Sequence, residues 1–286
     1  MKKKLAAVLL TGTLGIILAG CSNTKVSTSK TTYQPDGMTA VVKGKTDNQN
    51  HLTYQINHGK KQHVSVNDRE FVFQVPAADH DQKVTITAEN GGKKSSATVT
   101  VKSKKPLAKY QDVQQKFNQV IVMSQVPKQD LQVLQQAQKA NLYDPTQLMK
   151  NQALLKQAQQ AQAKMKQVKS QTVNQQIKAT ATGLTNLIDN DAFTLRANIQ
   201  DGQLMGGTFI IPTATFKHKE QAKQFGMTFM AFNQAIGADG KQVMKDFRKE
   251  TKSQNKSQTT SKTIKNNGIT YSVGFSKTDL YIYITR

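Results

Sequence analysis

The chain has no tryptophan, a single cysteine, and only four glutamates, Glu70, Glu89, Glu220 and Glu250, among 18 acidic residues. With Cys21 alone, no disulfide can form within the 286 residues, so burial and hydrogen bonding must hold the fold. Arginine is nearly missing too, since Arg69, Arg196, Arg248 and Arg286 are four of 40 basic residues. The planar arginine fork dominates bidentate phosphate and base recognition, whereas lysine is a hydrated point charge, so no sequence-specific contact with nucleic acid is expected. Catalytic signatures are absent as well. There is no Gly-x-Ser-x-Gly elbow, no His-Glu-x-x-His helix and no Gly-x-x-x-x-Gly-Lys phosphate loop. With carboxylates this scarce, no pair stands out by context for glycoside hydrolysis. Neither a catalytic residue nor a cofactor is assigned.

What the chain does have is positive charge. The balance is +22, and the excess is spread along the length: eleven basic against seven acidic residues over 31–105, ten against three over 106–183, and fourteen against eight over 184–286. Such a distribution gives a general attraction to anionic surroundings without locating a site. Anionic lipid headgroups or the anionic polymers of a Gram-positive wall fit it, as does a plainly solvated surface.

The N-terminus divides into three physical parts. Lys2, Lys3 and Lys4 are cationic; Leu5 to Leu18 is an apolar run; Leu18-Ala19-Gly20-Cys21 follows. At about 14 residues the run is short for ~30 Å of hydrocarbon and suits the h-region of a signal peptide. The last four residues resemble the bacterial lipobox. That resemblance implies a signal peptide over 1–20, recognition through Leu18, Ala19 and Gly20, cleavage before Cys21, and lipid on the Cys21 thiol. It also gives the lone cysteine of an exported chain a purpose. Acyl chains contribute about 0.8 kcal/mol per buried CH₂, so two or more make a durable membrane anchor. The expected location is the extracytoplasmic face of the cell membrane.

Residues 21–37 are polar, rich in Ser, Thr and Lys, and read as the lipidated cysteine followed by a flexible tether. Over 38–103 short apolar/polar alternations, such as Leu52–Ile56, Phe71–Val75 and Val84–Ala88, recur with turn signals about every ten residues. This pattern predicts an all-β sandwich and is similar to the immunoglobulin-like modules of bacterial surface proteins, without their antibody cousins' cysteine pair and tryptophan. After Lys104-Lys105-Pro106 the period changes to 3.6, and 106–183 reads as a helical region rich in Gln, Lys and Ala. Its seam of Leu154, Ala158, Ala161, Met165, Val168 and Thr172 is narrow and made largely of small residues. Residues 184–286 read as an α+β domain of order ββααβββ, an antiparallel sheet with two helices. One of these is a phenylalanine-faced helix through Phe225, Phe229 and Phe232, and Asn267-Gly268 marks a hairpin. Three folded units are expected, with boundaries near 104–106 and 183–191. The spacing of Val173, Ile177, Leu184 and Ile188 also allows one helix to run through the second boundary.

His51, His58, His63 and His80 fall in the β region, but their spacings match no metal-ligand set, so no metal is expected. The reading that follows is a membrane-anchored, non-enzymatic binding or scaffold protein of the cell envelope with a protein partner of unknown identity. An extracytoplasmic folding factor, or an envelope hydrolase with an unrecognised site, are the alternatives. A solute receptor is not indicated, because no two-lobed α/β pattern is present. In cells fed a fatty-acid analogue, the wild-type chain should take up label and Cys21→Ala should not; equal labelling of the two would contradict the lipobox reading.

Overall fold

The computed structural model describes residues 25–47, 51–141, 144–253 and 263–286. Leu18, Ala19, Gly20 and Cys21 lie outside the described residues. The chain divides into two compact units, Met1–Lys105 and Pro106–Arg286.

The first unit is built from β1 (Val26–Thr28), β2 (Thr32–Tyr33), β3 (Thr39–Thr46), β4 (Leu52–Ile56), β5 (Gln62–His63), β6 (Val66–Asn67), β7 (Glu70–Pro76), β8 (Gln82–Asn90) and β9 (Lys93–Val101). They form two sheets, of order β1-β3-β7-β6 and β2-β9-β8-β4-β5. Alternation places Val42, Phe73 and Val75 of one sheet and Leu52, Val84 and Ile86 of the other in one shared core. Across it the rings of Tyr54 and Phe73 stack with centroids 4.1 Å apart. The chain crosses between sheets at the buried Val64, with β5 on one side of it in one sheet and β6 on the other side in the other.

The expected tether over 21–37 is corrected from Val26 onward. β1 pairs with β3 through Val26↔Thr46, and β2 runs parallel to β9 through Thr32↔Thr100. These two- and three-residue strands carry no apolar alternation, and backbone hydrogen bonds hold them in place. A side chain helps. The Tyr33 hydroxyl donates to the Lys43 carbonyl (3.0 Å) and accepts from the Lys30 amide (3.2 Å), joining a strand of one sheet to a strand of the other. β1 also comes close to Gly44, where a Cβ would stand 2.2 Å from the Ser27 carbonyl oxygen and 2.3 Å from Phe71 Cζ.

The second unit comprises β10 (Ala108–Lys109), α1 (Tyr110–Gln125), α2 (Lys128–Lys139), α3 (Pro145–Lys150), α4 (Gln152–Gln171), β11 (Gly183–Asp189), β12 (Thr194–Gln200), β13 (Gln203–Pro212), α5 (Lys219–Ala235), α6 (Gly240–Ser253), β14 (Thr263–Asn266), β15 (Ile269–Phe275) and β16 (Asp279–Thr285). Its antiparallel sheet has the order β11-β12-β13-β16-β15-β14, with β10 also on β13. Two hairpins turn as the sequence implies, at Asp201-Gly202 (φ 50° and 75°) and Asn267-Gly268 (φ 49° and 73°), a left-handed pair that suits Asx-Gly.

Two expectations change here. The order after residue 183 is βββααβββ, because β11 precedes the two strands foreseen. The spacing of four between Leu184 and Ile188 fits a helix and a strand alike, and a bulge between Asn186 and Ile188 puts the exposed Leu184 and the buried Ile188 on opposite faces. The region 106–183 is also not a unit of its own. Tyr110, Val113, Phe117 and Ile121 of α1 share one core with Phe193, Phe209 and Phe229, and α1 packs along α5.

Only α2, α3 and α4 project from this core, as a helical hairpin. Along α4 the seam is as expected: Ala158, Ala161 and Thr172 are buried, Leu154, Met165 and Val168 half-buried, and Lys164 reaches Asp130 of α2 at 3.2 Å. Asp144 caps α3 by accepting from the Thr146 (2.8 Å) and Gln147 (3.2 Å) amides. Where the hairpin returns, α1 grips the chain. The Asn118 side-chain amide donates to the Ile177 carbonyl and accepts from the Ile177 amide, both at 2.9 Å. The Tyr110 hydroxyl donates to the Lys178 carbonyl at 2.6 Å, and burial pushes its pKa up to about 12.

Phe209→Ala should remove a buried ring from the core of the second unit and cost it about 3–5 kcal/mol. In urea denaturation the transition of the second unit should shift while that of the first stays put. A single transition moving as a whole would contradict the two-unit division.

Candidate binding face of the second sheet

The same alternation that builds the second core gives its sheet two chemically different faces. One side carries Leu195, Phe209, Ile282 and Tyr271 toward α1, α5 and α6. The cross-strand pairings place the intervening residues together on the other side. One rung runs Asn186↔Arg196↔Thr208↔Tyr283↔Ser272↔Thr263 across all six main strands. The next runs Asp189↔Thr194↔Ile210↔Tyr281↔Gly274. Every side chain of the first rung is polar; Arg196 and Tyr283 are exposed, whereas Thr208 is buried, as is Asn198 two residues beyond Arg196 on the same face.

Two features organise the face. Tyr281 and Tyr283, two residues apart on β16, lie nearly parallel, with centroids 6.1 Å apart and planes 10° apart. Gly274 on β15 makes room for this, because a Cβ there would stand 3.3 Å from Tyr283 Cε2. The Tyr283 ring therefore leans over bare backbone and remains 39% exposed. Burial, and then the neighbouring Tyr281, raise the Tyr283 pKa above the usual phenol value. Beside the rings, Asp189 accepts from the Thr194 hydroxyl (2.5 Å) and the Asn186 amide (3.0 Å), while Asn186 accepts from Arg196 Nε (3.0 Å). These hydrogen bonds, with the Arg196 charge, hold the Asp189 carboxyl below its ordinary value.

Flat aromatic faces, hydroxyls, an amide and one guanidinium can stack on and hydrogen-bond to an extended polar ligand. The expected site residues Cys21, Leu18, Ala19 and Gly20 lie outside the described residues. The histidines of the first unit are dispersed. His63 Nδ1 lies 3.0 Å from the Leu52 carbonyl and His80 Nδ1 2.9 Å from Asp79, while His51 and His58 are exposed. Among the described residues no group of three potential metal-ligand side chains includes His51, His58 or His63. Sequence reasoning did not single out Arg196, Tyr281 or Tyr283. The available signal was the Tyr-x-Tyr on the polar phase of β16, opposite a strand bearing Gly274.

No protein-family model matches the chain, and no curated protein is significantly similar to it.

Burial is the larger and the neighbouring Tyr281 phenol the smaller of the two causes that raise the Tyr283 pKa, so removing the Tyr281 hydroxyl should lower it. Tyr281→Phe should shift the Tyr283 ring signal, followed by NMR, to titrate at lower pH. An unchanged midpoint would mean that the two rings are not neighbours.

Proposed function

We propose that this chain is a lipid-anchored, extracytoplasmic binding protein of the cell envelope, without catalytic activity, whose second unit engages its partner through the tyrosine-bearing sheet face. The observation that carries this is the contrast between the two sides of that sheet, one apolar and packed on three helices and one bearing the exposed Arg196 and Tyr283 beside the stacked Tyr281.

The anchor rests on the sequence of residues 2–21, and no described helix is long and apolar enough to cross a membrane. In the first unit, two sheets joined by a short interior and free of disulfides support the immunoglobulin-like reading of a bacterial surface module. That unit serves as the module next to the anchor. With β1 starting at Val26, the five residue steps from Cys21 reach at most about 18 Å, so the first sheet is held close to the lipid.

The test is retention of the purified chain on isolated envelope material. Tyr281→Ala with Tyr283→Ala should weaken retention by roughly tenfold or more, as truncation of central interface aromatics does, with little change in melting temperature. Retention equal to wild type would overturn the assignment of the face. Protease added to intact cells should remove the protein, and full protection would overturn the location.

A further inference from the structure

The second unit carries a charged feature that the sheet face does not use. On α6, Lys241, Lys245 and Lys249 recur every four residues and all are exposed, with Arg248 exposed on the same side. At 1.5 Å per residue the three lysines form a row about 12 Å long on one side of the helix. The opposite side is fixed in the core. Val243 is fully buried, and Phe247 lies 6.5 Å from Phe229 and 6.3 Å edge-on from Tyr271. Gly240 seats the helix start against α5, where a Cβ would come within 2.9 Å of Met230 Sδ. With its rotation set in this way, α6 cannot turn its lysines inward.

Asp239 accepts from the Gln242 amide at 3.0 Å, and Asp246, half-buried, accepts from the Gln242 side chain at 2.8 Å. Among the described residues, no ion pair involves Lys241, Lys245 or Lys249.

We propose that the α6 lysine row seats the second unit on an anionic phospholipid surface, with the tyrosine face directed away from the bilayer. The proposal rests on the reading that lipid on Cys21 holds the chain at a membrane. Charge complementarity supplies the occupant: hydrated ammonium groups at fixed spacing suit a plane of headgroup phosphates, which asks for no individual docking geometry. The fold supplies the direction, because α6 covers the apolar side of the sheet and Tyr281 and Tyr283 stand on the other. A bilayer under α6 therefore lies on the side of the sheet opposite Tyr281 and Tyr283.

The experiment uses the chain from residue 21 onward with Cys21→Ala, co-sedimented with phosphatidylcholine vesicles with and without phosphatidylglycerol over a salt series. Binding should require phosphatidylglycerol and be lost as salt rises. The triple variant Lys241→Glu, Lys245→Glu, Lys249→Glu should weaken it by roughly 100-fold. A control triple on α4, Lys156→Glu, Lys166→Glu, Lys169→Glu, makes the same change in net charge and should leave it nearly unchanged. Lys→Gln at the three α6 positions should weaken binding too, and circular dichroism should show all variants folded. Tyr281→Ala with Tyr283→Ala should bind vesicles as wild type does, which separates failure of the tyrosine face from failure of the lysine row. Equal losses in the α4 and α6 triples would show that only summed charge matters and overturn the proposal. So would binding to neutral vesicles, or a preference for soluble poly(glycerol phosphate) over vesicles.

Discussion

The second unit is organised around one ring. Phe209, at the middle of β13, lies 5.5–5.8 Å from Phe193, Phe225, Phe229 and Phe232, in tilted and edge-on arrangements. Three of those partners come from α5, so a single strand residue fixes where the helix crosses the sheet. Two residues earlier, Gly207 lets the Phe232 ring approach the strand, since a Cβ there would stand 3.1 Å away. α1 then packs along α5 and holds the returning chain at Ile177 through Asn118. A ring cluster of this kind prefers edge-to-face geometry and tolerates little change in volume. The position of every element on the helix side follows from it.

That constraint also dictates the composition of the opposite face. On β13, Phe209 and Ile211 must point to the helices, so Thr208 and Ile210 point away. On β16, Ile282 and Ile284 point inward, so Tyr281 and Tyr283 point away. A one-residue slip between the two strands would bury Tyr283 among phenylalanines and expose Ile282. Register, core and candidate site are therefore one decision. The core also supplies a buried polar pair within its apolar surroundings: the Tyr271 hydroxyl donates to Asn233, whose amide donates to the Phe229 carbonyl at 2.7 Å. Burial raises the Tyr271 pKa, which keeps its hydroxyl protonated as that donor.

Much of this was legible in the sequence wherever an element had a regular apolar period. β4, β7, β8, the α4 seam and the phenylalanine helix α5 all fall where the residue pattern puts them. The elements that escaped lack such a period for identifiable reasons. β1 and β2 are too short and too polar to alternate, and β11 has its alternation broken by a bulge. The union of α1 with the C-terminal sheet depends on contacts between Phe117 and residues far along the chain, which no local pattern encodes. The binding face was hidden for a related reason. Arg196, Thr208 and Tyr283 become neighbours only through the strand order β12-β13-β16, which brings residues from both ends of the βββααβββ unit together.

The first unit imposes a different requirement, set by how close its first strand lies to Cys21. With lipid on that cysteine, as proposed, any pull on the anchor reaches the fold at β1, a three-residue strand paired with β3. Backbone pairing this short resists little alone. It is reinforced at Gly44, where the absent side chain lets the Ser27 carbonyl and the Phe71 ring close over the strand. It is reinforced again at Tyr33, whose hydroxyl spans from β2 to β3 and so ties the entering chain to both sheets. A residue larger than glycine at 44 would force β1 off β3, because the atoms it would meet are backbone and a packed ring. The entry of the chain is thus held by the sandwich core itself, and the polar composition of residues 25–35 conceals that attachment.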